Sequence, residues 1–201
     1  PCNSGKQFKK CHGALDTQQL GEFQRHQTPH LSSPTFFEAR EYQRREQQGL
    51  GRPIVSTQFQ EQRIVAVRDR IYSSKNWKSF HDFLRDYPKT VLGIDWWSEE
   101  VRKSSGSRHL VVAWFMRSCE QMTATREAGH GEVGMPATGA LSAYMRFAYD
   151  LYELQHAVTV EPVLIQRLKN HLGLPGAMYD VRVAASLLRA GFTLEVEAES
   201  D

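Results

Sequence analysis

The stretch TGALSAYMRFAYDLYELQHAV, residues 138–158, constrains the fold more than any other part of the chain. Wound at about 3.6 residues per turn, it places Leu141, Met145, Ala148 and Tyr152 on one side and Phe147, Leu151 and Leu154 on another. The helix it predicts must therefore be covered on two sides, and the chain must supply the covering elements.

The flanking sequence offers them. PTFFEAREYQRREQQGLG has Pro34 as a helix start, mixed charges on a solvated face and Gly49 as a stop. NWKSFHDFLRDY sets Trp77, Phe80, His81 and Leu84 along one stripe, with Pro88 expected to end or bend the helix. SRHLVVAWFMRSCEQM places Val111, Phe115, Cys119 and Met122 on one face. A further helix is predicted from about Glu161 to His171, and a last one after Leu174, closed by Gly191. REAGHGEVGMP, from Arg126, has three glycines and no periodicity and reads as a loop. The short β-branched runs RPIVSTQF and RIVAVRDRIY, parted by a polar QEQ, predict a small β-hairpin, although no Asn-Gly or Asp-Gly turn supports it.

With 201 residues and 40% hydrophobic content the chain can bury one ordinary core, with at most a small appended module. A formal charge of +2 is too mild to argue for a polyelectrolyte partner. No apolar run approaches the roughly 18 residues of a membrane span, and the N-terminus lacks the apolar core of a secretory signal, so the expectation is a cytoplasmic protein with no membrane partner. Three cysteines cannot all pair, which argues against a disulfide framework. Pro1 is not a natural start and FTLEVEAESD stops without a turn or cap, so the expectation is a segment of a longer chain.

The first thirteen residues, PCNSGKQFKKCHG, carry a metal-ligand pattern. Cys2 and Cys11 are separated by eight residues and His12 follows directly, while the Ser-Gly between them can fold two short limbs back so that the ligands converge. Zinc takes thiolate and imidazole ligands in a tetrahedron. Lys6, Lys9 and Lys10, with no acid nearby, favour the thiolate forms. Three ligands are present where a closed structural site needs four.

This stretch resembles the SEC-C motif, a short zinc-binding segment found at the C-terminus of the SecA translocation motor and in many unrelated bacterial proteins. The motif runs Cys-x-Cys, eight residues, then Cys-Cys or Cys-His; Cys2, Ser4, Gly5, Lys6, Lys9, Lys10, Cys11, His12 and Gly13 match it. Asn3 stands where Gly is usual. The resemblance implies a structural zinc ion held by Cys2, Cys11 and His12, with the fourth ligand a cysteine one residue upstream of Pro1. Such segments dock a protein partner or nucleic acid. No Gly-x-x-x-x-Gly-Lys-[Ser/Thr] loop is present, so the chain is not the SecA motor.

A second candidate lies on the last predicted helix, PGAMYDVRVAASLLRAG. With Asp180 at zero and about 100° per residue, Leu187, Ala184, Ala177, Leu188, Val181 and Ala185 fall between about −20° and 140°, while Arg182, Ser186 and Arg189 lie opposite. Asp180 is then expected inside the apolar stripe, where a carboxylate needs a charged or hydrogen-bonding partner. A position near the positive end of the helix dipole accounts for the acid equally well.

The order of an inward acid on a helix, a Gly191 turn and the strand FTLEVE is similar to the opening of the PD-(D/E)XK nuclease-like fold. YDLYELQHAV, QRLKN and GAMYDVRVAASLLRAGFTLEVEAESD, and more weakly residues 51–201, resemble uncharacterised bacterial proteins with such a domain. That resemblance implies that Asp180 takes the place of the helix glutamate among the catalytic acids. The remaining Asp, Glu and Lys, with the Mg²⁺ they would bind, would lie in the full-length protein beyond this segment. Glu195, Glu197, Glu199 and Asp201 alternate and share a face, read as a solvated edge in preference to a metal site.

Other candidates weigh towards ordinary roles. His26 and His30 sit in a Gln-rich linker context, Cys119 reads as a core thiol and His81 as a core histidine. Trp96 and Trp97 near Arg102, Lys103 and Arg108 could stack and bind phosphate, but core tryptophans beside exposed loop charge fit better. The expected fold is mainly α with a small β-hairpin. The expected order is a zinc module at 1–13, a linker at 14–33, a helix and small β element at 34–74 and a helical region at 75–174. The helix–strand start of an α/β restriction-endonuclease-like domain would follow at 175–201. Function divides between a zinc-binding, nucleic-acid-associated protein with an incomplete nuclease-like domain and a non-enzymatic module that docks a partner through the zinc motif.

Overall fold

The computed structural model describes residues 34–127 and 138–195. Among these it shows a mainly helical protein, seven helices and one three-stranded antiparallel sheet. The chain divides into two units, 1–47 and 48–201. In the first, helix α1 (Pro34–Gln48) begins at the predicted proline, and Glu41 is held by Arg44 at 2.7 Å and Arg45 at 2.8 Å. Those two guanidiniums lower the Glu41 carboxyl to about 2.

In the second unit the predicted hairpin is a three-stranded meander. Strands β1 (Val55–Phe59), β2 (Gln62–Val67) and β3 (Arg70–Ser74) pair in order, with Val55 opposite Ala66 and Ala66 opposite Ile71. The run RIVAVRDRIY therefore breaks at Arg68–Asp69, where a single strand was expected. Both turns have two residues. Gln60 and Glu61 have φ of 44° and 64°, and Arg68 has φ of 55°. These are left-handed conformations that favour Gly or Asn and cost other residues about 1 kcal/mol each. Tight turns built without glycine left no signature in the sequence. Val65 and Val67 face the core, while Val55, Phe59 and Ile71 are exposed.

Helix α2 (Phe80–Leu92) starts later than its apolar pattern suggests because a capping box fixes its first turn. The Ser79 hydroxyl accepts from the Asp82 amide at 3.3 Å, and the Asp82 carboxylate accepts from the Ser79 amide at 2.9 Å. Pro88, expected to end or bend the helix, lies within it and is buried, and α2 continues to Leu92. Gly93, at φ 95°, ends α2 and opens α3 (Ile94–Arg102) without a linker. Helices α4 (Leu110–Glu127), α5 (Gly139–Ala157), α6 (Pro162–Lys169) and α7 (Leu174–Arg189) follow.

Helix α5 is the predicted two-sided helix, and it packs against α2, α4 and α7. Its Tyr144, Phe147, Ala148, Leu151 and Tyr152 are all buried. Between α5, α2 and β3 an aromatic cluster centres on Phe83, whose ring lies 4.9 Å from Tyr87, 5.3 Å from Trp77 and 5.9 Å from both Tyr72 and Tyr152. The inward stripe of α2 is thus Phe83, Leu84 and Tyr87. His81 is exposed, in contrast to the core position expected, because it sits about 100° round from Phe80 and away from that stripe.

The C-terminal end of α7 is locked to the segment before the sheet. Gly191, at φ 89°, donates to Leu188 O at 2.9 Å while Phe192 donates to Leu187 O at 3.0 Å, a Schellman cap. Leu50 donates to Arg189 O at 2.7 Å, and a Cβ on Gly49, at φ 77°, would lie 2.6 Å from that same oxygen. Gly49→Ala is expected to destabilise the fold by about 2 kcal/mol or more in urea unfolding, since the strain and the clash both fall on backbone. Phe83→Ala, at a fully buried ring, should cost about 3–5 kcal/mol in the same measurement.

Candidate functional site

Cys2, Cys11 and His12 lie outside the described residues, as do His26 and His30. Among the described residues, no group of three or more His, Cys, Asp or Glu side chains is placed to hold a metal ion.

Asp180 is not in the apolar interior. Its side chain is 48% exposed and pairs with Arg167 of α6 at 2.8 Å, an exposed ion pair of the kind worth about 0–1 kcal/mol. The buried residues of α7 are Leu174, Ala177, Val181, Ala185 and Leu188, which span about 60° to 140° on the wheel that has Asp180 at zero. Leu187, counted as core in the sequence, is 38% exposed. Without it the stripe moves away from Asp180. Phe192–Glu195 follow α7 without forming a strand, and the rest of the predicted FTLEVE strand lies outside the described residues. Glu195 is exposed there, while Glu197, Glu199 and Asp201 lie outside as well.

Two of the three buried acids among the described residues are on α5, and the third, Glu100, is on α3. Asp150, Glu153 and His156, spaced three residues apart along one flank, are 4%, 4% and 7% exposed. Asp150 pairs with Arg189 of α7 at 2.8 Å. Burial raises the Asp150 carboxyl above its ordinary value, with Arg189 opposing the shift. Glu153 accepts from the Tyr149 hydroxyl, whose proton burial and the Glu153 charge hold in place. A Cβ on Gly51 would lie 3.0 Å from the Glu153 carboxylate, a tight contact that would push the carboxylate by a few tenths of an ångström. His156 Nδ1 accepts from the Arg68 amide at 2.8 Å, and its ring hydrogen-bonds the Pro53 carbonyl. An imidazole that accepts at one nitrogen and donates at the other is neutral, and burial lowers its pKa in the same sense. The row thus ties α7, the 49–53 segment and the sheet to the central helix. The sequence reading missed it, although acids inside a helix buried on two sides were the signal.

A second buried histidine closes the α3–α4 junction. His109 is fully buried between Trp96 and His171, each with ring centroids 5.0 Å away, and neither ring nitrogen has a partner among the described residues. Burial, with the neighbouring His171 adding to it, lowers its pKa to about 4. The His109 amide donates to Glu100 at 2.8 Å, and Lys103 pairs with Glu100 at 2.5 Å. Arg108 donates to the carbonyls of Val101 and Lys103 at 3.0 and 2.8 Å. Trp97 is in the core. Lys103 and Arg108 are therefore engaged in closing α3. Cys119 is a half-buried thiol that burial pushes up, as a core position requires.

Together these features define a helical protein with a small antiparallel sheet, built round a buried polar row. Residues 1–14 match the family model of the SEC-C motif. No curated protein and no solved structure matches the chain.

Two outcomes follow from the geometry. Arg189→Met, which leaves Asp150 buried without its cation, should cost about 3 kcal/mol at neutral pH, and Asp150→Asn in that background should recover part of the loss. The histidines predict an acid-labile fold. His109 binds a proton near pH 4 when folded but near its ordinary 6.5 when unfolded, so its contribution to stability is complete above 6.5 and is lost as pH falls towards 4. His156 acts in the same sense. Urea midpoints measured between pH 7.5 and 4.5 should fall steeply, and less steeply in His109→Leu. An unchanged slope in that variant would remove the assignment.

Proposed function

We propose that this is a binding protein that docks a partner through a zinc-folded segment at its N-terminus, the helical unit serving as the body that carries it. The observation behind the reading is the match of residues 1–14 to the SEC-C motif, with Cys2, Cys11 and His12 in ligand positions. Two thiolates and an imidazole are a donor set suited to zinc, and Lys6, Lys9 and Lys10 favour the ionised thiols. A cysteine placed one residue before Pro1 completes a tetrahedral set. The zinc there is structural, since all four positions are taken by protein.

The partner is a protein or a nucleic acid. A Mg²⁺-dependent nuclease would need Asp180 to face further acids and a lysine. Asp180 instead pairs with Arg167 on an exposed surface, which favours docking over hydrolysis.

With one cysteine added immediately before Pro1, native mass spectrometry should show one zinc per chain, and Cys11→Ser should lose it. Partners recovered by the zinc-bound protein should be lost with Cys11→Ser and kept with Asp180→Ala. Retention of the same partners by metal-free protein would overturn the reading.

A further inference from the structure

We propose that the groove between the β2–β3 turn and the C-terminal end of α5 binds the phosphate group of a small phosphorylated molecule. The groove encloses about 290 Å³, at the small end of ligand sites, and its lining includes Arg68, Asp69, Arg70, Gln155 and Thr159. Two guanidiniums stand there against one carboxylate. Arg70 is exposed, and its side chain makes no hydrogen bond or ion pair among the described residues. Arg68 donates to the Thr159 hydroxyl.

Gln155 adds a third donor. Its amide oxygen accepts from the Tyr87 hydroxyl, and its amide nitrogen, which can only donate, has no partner among the described residues. Burial holds the Tyr87 proton in place, so this orientation does not reverse with pH in the neutral range.

The turn is held in place from beneath. Arg68 occupies a left-handed conformation, φ 55°, where glycine is the ordinary choice, and its amide is anchored on the buried His156 ring at 2.8 Å. Strain kept at a non-glycine residue is explained when its side chain is needed. The Arg68 guanidinium also lies near the carbonyl end of α5, where a cation offsets the helix dipole, and that role alone would account for Arg68. It does not account for Arg70 or for the Gln155 amide nitrogen left without a partner among the described residues. Three donors on separate side chains suit the three oxygens of a phosphate better than the two of a carboxylate.

The test is an amide NMR titration of the full chain at fixed ionic strength with inorganic phosphate, ribose 5-phosphate and ribose. Saturable shifts at Arg68, Arg70, Gln155 and Thr159 are expected with ribose 5-phosphate and none with ribose. Binding of inorganic phosphate with equal affinity would place all recognition in the phosphate; tighter binding of the ester would show that the groove also holds the attached group. Arg68→Gly removes the guanidinium while suiting the left-handed turn, so it should keep or raise the melting temperature yet weaken binding about tenfold or more. Arg70→Gln should weaken it similarly. Shifts that fail to saturate, match those from chloride, or persist unchanged in both variants would overturn the proposal.

Discussion

Burying α5 on both flanks forces its polar side chains to find partners inside the protein, and the elements around it are placed by those partners. Apolar burial accounts for the approach of α2, α4 and α7, because Phe83, Leu151 and Tyr152 can leave water only together. It does not fix where along α5 each neighbour sits. That is the work of Asp150, Glu153 and His156. A carboxylate at 4% exposure needs a charged or hydrogen-bonding partner, and for Asp150 Arg189 at the end of α7 supplies it. Glu153 lies close against the 49–53 segment, where the small Gly51 leaves its carboxylate room. His156 accepts from Arg68 and so fixes the turn between β2 and β3. One helix flank thus positions three separate parts of the chain.

Periodicity made the helices legible in the sequence. The two-sided pattern of residues 138–158, Pro34 as a start and Gly191 as a stop all reappear as elements. The sheet was half legible. Its second turn was hidden because Arg68 takes a conformation that the sequence rules reserve for glycine. The site was least legible, and the cause is a matter of degrees. A stripe on α7 that counted Leu187 as core drew Asp180 inward by about 60°, and the exposed side chains of both show the true edge. The same argument, a charge on an apolar face in need of a partner, holds for α5, where the sequence analysis did not apply it. There two buried flanks leave little room for an acid to escape to solvent. His81 erred in the same direction as Asp180, since a residue beside a stripe was taken as part of it.

The two ends of the functional argument therefore rest on different kinds of information. Metal ligation needs particular atoms at fixed spacing, so a thirteen-residue motif can be read from letters alone. Recognition by a folded surface depends on which polar groups are left over once the interior has satisfied its own. Asp150, Glu153 and His156 are each engaged in holding the fold. Among the described residues Arg70 is not, and neither is the amide nitrogen of Gln155. A donor that the fold supports but does not use is what a ligand can take up, and only the packed structure distinguishes it from the donors already engaged.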